Sequence, residues 1–191
     1  MNVYILLSAN KTNIGTMIRS VTGEPYSHVS IAFSRNLKDL FSFSNRRGTY
    51  SDGTPLIGGL VEEDLSDDIF KESTCALYTA HVSQNELTKM KRKLNKFIKN
   101  KKDLRYSTLG LFSVLLNKEW ERRRHFFCSQ FVAEILKSSG KRLSSSKPPS
   151  LTTPMDIVKN ENFELVYEGP LNKLNKQVLK ESVFYFEEDF L

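Results

Sequence analysis

At 191 residues, 39% of them hydrophobic and 26% charged, the chain suits one domain, 1–191, with a sizeable core. Two cysteines, Cys75 and Cys128, exclude a disulfide scaffold, and no pair is spaced as a zinc clip. The net charge of +6 permits contact with an anionic partner without specifying one.

The N-terminus has a short apolar run over residues 3–7 with no basic stretch before it, so it reads as a first strand rather than a signal peptide. No run approaches the roughly 18 apolar residues of a membrane span, and the expected location is the cytoplasm. Residues 14–21 look helical, and Gly23 and Pro25 close that unit. Residues 26–33 then alternate strictly. Val29, Ile31 and Phe33 face one way, and His28, Ser30 and Ala32 face the other. Residues 40–44 alternate again, which predicts a hairpin. Pairing Ala32 with Leu40 sets Ser30 opposite Ser42 and His28 opposite Ser44; a shift of two residues sets Ser42 opposite His28.

Residues 45–59, rich in Gly, Ser, Arg and Asp, read as a surface loop, and 60–63 as a brief strand. Residues 74–82 are a better strand, in which Cys75 and His81 read as structural. Residues 83–102 place Leu87, Met90, Leu94, Phe97 and Ile98 at helical spacing. Lys89, Lys91, Arg92, Lys93, Lys96, Lys99, Lys101 and Lys102 make the rest of that segment basic. A basic amphipathic helix binds anionic membranes or nucleic acid in some proteins. Here a solvated outer face is the expectation, with weak contact to an anionic surface and no specific nucleic acid. Residues 109–116 form a short helix or turn, 119–124 a charged helix end or loop, and 141–149 a loop. Thr153-Pro154 starts a short helix. Residues 163–167 and 183–186 read as strands.

The stretch Phe-Phe-Cys128-Ser-Gln-Phe-Val-Ala-Glu-Ile-Leu organises the chemistry. Phe131, Val132, Ile135 and Leu136 fall on one helical face, and Gly140 is a C-terminal stop, so the helix begins near Cys128. Unpaired N–H groups and the positive end of the macrodipole at a helix start favour a thiolate, the reacting form of cysteine, and can hold an oxyanion beside it. The competing reading takes Cys128 as a small buried apolar residue. A base decides between them, and His28 on the polar strand face is the candidate. The group that orients the imidazole is expected to be Ser44 or Ser42, both weak for that task. Tyr26 and Gln130 are candidates for holding the oxyanion or substrate. His125 lies close to Cys128, but two lone ligands make no metal site, and neither metal nor cofactor is expected.

Tyr-Ser-His28-Val-Ser-Ile-Ala-Phe followed by the Cys128 stretch resembles the circularly permuted branch of the NlpC-type papain-fold superfamily. That branch includes the bacterial YiiX-like proteins and, more distantly, the lecithin–retinol acyltransferases. Leu-Thr-Thr-Pro-Met-Asp156 is similar to the segment after the cysteine helix in YiiX-like members. The likeness runs from Met1 to about Gly169, but only the two catalytic motifs are specific. It implies an α+β fold in which an antiparallel sheet bearing histidine packs on the helix bearing the nucleophile. It also implies hydrolysis or transfer of an acyl group through a thioester, with a peptide, amide or lipid ester as substrate. In these relatives the third position tends to hold histidine, glutamate or another strong hydrogen-bonding group, so the serines depart from the pattern. The alternative from another class is a non-enzymatic module that uses the basic helix on an anionic membrane surface or nucleic acid.

Overall fold

Val3, Ile5 and Leu7 are buried in one apolar cluster and Tyr4 and Leu6 in another, so the first strand, β1 (Asn2–Ala9), is covered on both faces. An uninterrupted apolar run makes such a central strand. The computed structural model describes residues 1–9, 13–49, 55–119 and 122–174; the strand expected at 183–186 lies outside them. After α1 (Asn13–Thr22) come β2 (His28–Ala32), β3 (Phe41–Thr49), β4 (Pro55–Glu62) and β5 (Thr74–His81). The helix α2 (Gln84–Lys99), the short strand β6 (Arg105–Tyr106) and α3 (Thr108–Leu115) follow. Then come β7 (His125–Phe126), α4 (Cys128–Ser139), α5 (Pro154–Val158) and β8 (Glu164–Pro170). The sheet runs β4-β3-β2-β1-β5-β8 with every neighbour antiparallel, while β6 and β7 pair in parallel beside it. The fold is mixed α+β. Among the described residues no helix is long and apolar enough to cross a membrane.

Ile31 pairs with Phe41, which is the register that sets Ala32 opposite Leu40. The expected loop at 45–59 is a correction. β3 continues to Thr49 past a bulge between Ser44 and Arg47, and β4 begins at Pro55; only 50–54 lie outside the described residues. Gly, Ser and Arg are weak strand formers, but cross-strand pairing outweighs intrinsic preference. Gly58, with φ +70°, fits this hairpin because a Cβ there would stand 3.1 Å from Cβ of Tyr106.

The helices α2 and α4 pack on each other, and α4 lies on β2 and β3. Leu87, Met90, Leu94 and Phe97 are the buried face of α2, while Lys89, Lys91, Arg92, Lys96 and Lys99 are exposed. Four rings lock these elements. Phe43 of β3 stands 5.0 Å from Phe131 of α4, 5.4 Å from Phe126 of β7 and 5.9 Å from Phe97 of α2. The opposite sheet face is covered by Leu37 and Phe70 from connecting segments and by Leu171 and Leu174 just after β8.

The start of α2 is held by a capping box. Ser83 Oγ accepts the N–H of Glu86, and the Glu86 carboxylate accepts the N–H of Ser83. Ser83→Ala is expected to cost about 1 kcal/mol in urea unfolding. A change near zero would mean that Arg142, which donates twice to Glu86 at 3.0 Å, holds this helix end without the cap.

Candidate active site

Cys128 is the first residue of α4, and the residue before it, Phe127, caps the helix with extended backbone and no side-chain hydrogen bond. The first-turn N–H groups beside the sulfur are therefore not claimed by a capping side chain. Gly140 ends the helix at φ +133°, as its place in the sequence predicts.

His28 is the first residue of β2. Its imidazole has two neighbours. Nε2 lies 2.8 Å from Oε1 of Glu63, and the Cys128 thiol is near enough to act with that carboxylate in raising the pKa of the ring. With Nε2 taken by the carboxylate, Nδ1 is the nitrogen left to exchange a proton with sulfur. The His28 side chain is 13% exposed and that of Glu63 only 2%. A carboxylate so deeply buried needs donors, and it has three: His28, Ser30 at 2.7 Å and Ser42.

These contacts correct the expected third group. Glu63, not Ser44 or Ser42, holds the far nitrogen of His28. Its N–H donates to the Leu40 carbonyl at 2.8 Å, extending the β3–β4 ladder by one residue and turning the side chain toward Ser42 and Ser30. Ser42 thus supports the carboxylate rather than the ring. Ser44 accepts the N–H of Arg46 at the bulge. The signal for Glu63 is its place beside the serine face of the hairpin. Only the β3–β4 register, with Phe41 opposite Glu62, distinguishes it from its neighbour.

The oxyanion candidates also divide. Tyr26 donates its hydroxyl proton to Glu168 at 2.6 Å, and burial together with that carboxylate pushes its phenol up. Gln130 is buried two residues beyond Cys128, and residues two apart on a helix do not face each other. The ring that does adjoin the sulfur is Tyr106, whose phenol is raised by burial and by the charge Cys128 would carry. Cys75 is buried in the opposite cluster, and burial with the nearby Glu168 charge pushes its thiol up to about 12. His81 is exposed and faces Asn2. Among the described residues no three His, Cys, Asp or Glu side chains gather as a metal site.

Burial alone would lower the His28 pKa. The Glu63 charge, the neighbouring Cys128 thiol and the hydrogen bond that His28 donates to Glu63 overcome that and hold it up at about 10. Glu63 faces the same opposition: burial raises its pKa, but the His28 charge and the donors from His28, Ser42 and Ser30 bring it below 4.5. Folded His28 thus keeps its proton more tightly than the ordinary 6.5, so its contribution is complete below 6.5 and fades as pH rises toward 10. The Glu63 contribution is complete above 4.5 and fades as pH falls below it. The pair is expected to stabilise the fold most between 4.5 and 6.5. Urea midpoints measured against pH check this: the alkaline decline should flatten in His28→Gln, and an unchanged decline would assign it to another group.

No family model matches the sequence, and no curated protein matches it.

Proposed function

We propose that this chain is a cysteine hydrolase or acyltransferase working through a Cys128 thioester on a circularly permuted papain-like fold. The observation that carries the reading is the single imidazole held between a thiol at a helix start and a buried carboxylate. A protonated imidazole is the partner a thiolate needs, and the Glu63 charge keeps His28 protonated at neutral pH.

In the first half-reaction the Cys128 thiolate attacks a carbonyl carbon, forming the C–S bond. The C–N or C–O bond of the amide or ester breaks as His28 gives its proton to the leaving amine or alcohol. Neutral His28 then takes a proton from water, or from an acceptor alcohol or amine, which attacks the thioester carbonyl. The C–S bond breaks, and thiolate and imidazolium are restored. First-turn N–H groups of α4 lie beside the sulfur to receive the oxyanion. Tyr106 supplies a neutral phenol near it, its raised pKa keeping the O–H donor in place. Peptides, simple amides and lipid esters all present the required carbonyl, so these are the substrate classes to screen.

Covalent labelling of the protein by an electrophilic acyl probe tests the reading. The wild type should label faster than a small free thiol at the same pH. Labelling at or below the free-thiol rate would leave Cys128 a packing residue on an inherited fold.

A further inference from the structure

Lys93 and Lys96 of α2 and Arg124 before β7 line a cavity of about 250 Å³ whose apolar wall is Phe97, Leu104 and Phe126. Here three cations share one concave surface with two rings, 5.1 Å apart and nearly perpendicular. Among the described residues no carboxylate lines the cavity. Lys93 is tied to Glu134 at 2.7 Å and lies over the Phe97 ring, while Arg124 is only loosely matched to Asp103 at 3.8 Å. Lys96 has no ion pair among the described residues. A recess of one sign with low-dielectric walls focuses its field on whatever enters.

We propose that this cavity binds a small amphiphilic anion: a phosphate or carboxylate head on an aromatic ring or short alkyl group. The head meets Lys96 and the guanidinium of Arg124, which is shaped for two parallel hydrogen bonds to such oxygens. The apolar group lies on Phe97 and Phe126. At about 250 Å³ the space is below the usual size of drug-like sites, which selects a compact ligand. The inference does not depend on Cys128 being a nucleophile, although Phe126 stands two residues before it.

The probe is phenyl phosphate, titrated into the full chain by calorimetry, with inorganic phosphate and phenol as half-ligands. Phenyl phosphate should saturate one site, and each half-ligand should bind at least about tenfold more weakly, since each keeps only one part of the recognition. Lys96→Ala with Arg124→Ala should weaken phenyl phosphate by about tenfold or more, the scale of a lost charged hydrogen bond. Lys96→Gln alone, on the exposed face of α2, should shift it the same way and serves if the double variant is unstable. Cys128→Ala should bind as the wild type does. Equal binding by the charge variants, or inorganic phosphate matching phenyl phosphate, would overturn the proposal. So would binding confined to vesicles containing phosphatidylglycerol with none to soluble probes, which would assign the cations to a membrane surface instead.

Discussion

Cys128→Ala is expected to abolish covalent labelling by an electrophilic acyl probe, while Cys75→Ala leaves it intact. Exposure does not separate the two thiols, because Cys75 is 0% and Cys128 2% exposed. Their electrostatic surroundings do. Cys75 lies among apolar side chains with a carboxylate nearby, and its thiol is pushed up to about 12, which keeps it protonated at neutral pH. Cys128 neighbours an imidazole whose pKa is raised chiefly by the Glu63 charge, and it opens a helix with no competing side-chain cap. Since the thiolate is the nucleophile, labelling should follow the imidazole rather than the surface. Mass spectrometry of the labelled chain locates the adduct, and thermal melting of Cys128→Ala checks that the fold survives loss of one sulfur. An adduct on Cys75, or equal labelling of both positions, would remove Cys128 from the centre of the mechanism.

The parts of the fold that sequence makes legible are those where burial repeats with a clean period. Leu87, Met90, Leu94 and Phe97 reveal α2, and Phe131, Val132, Ile135 and Leu136 with Gly140 reveal α4 and therefore the cysteine at its start. The alternation of Val29 and Ile31 against Phe41 and Phe43 fixes the apolar face of the hairpin but leaves two registers, of which the pairing of Ile31 with Phe41 selects one. The outer half of the β3–β4 hairpin is not legible, because Arg46, Arg47 and Gly48 have the composition of a turn, yet Arg47 and Gly48 pair with β4 beyond the bulge that holds Arg46. That error hides Glu63. Treating 45–59 as loop leaves no register for the glutamates that follow, and nothing local distinguishes Glu62, opposite Phe41, from Glu63, which reaches Ser30, Ser42 and His28. The serines of the polar face were a true signal of a buried polar group. They mark the donors to the carboxylate, not the orienter itself.

Glu63→Gln is expected to lower the labelling rate at neutral pH by about 10²-fold, comparable with His28→Ala and within the usual range of a general acid–base contribution. The amide keeps the size of the side chain and a hydrogen-bonding oxygen for His28, so the geometry is largely preserved while the charge is lost. That charge opposes the burial that would otherwise push the His28 pKa down. Without it the imidazolium proton is lost at lower pH, and the alkaline limb of the labelling profile should move to lower pH than in the wild type. His28 and Glu63 titrate as a pair, so the readout is the shift of the whole profile rather than one residue's constant. Ser42→Ala and Ser30→Ala provide the contrast. Each removes one donor to Glu63 but leaves its charge, so each should slow labelling less than Glu63→Gln and move the alkaline limb little. A Glu63→Gln profile that overlays the wild type in both rate and pH would make Glu63 a buried structural anion. His28 would then act on the thiol without an orienting charge.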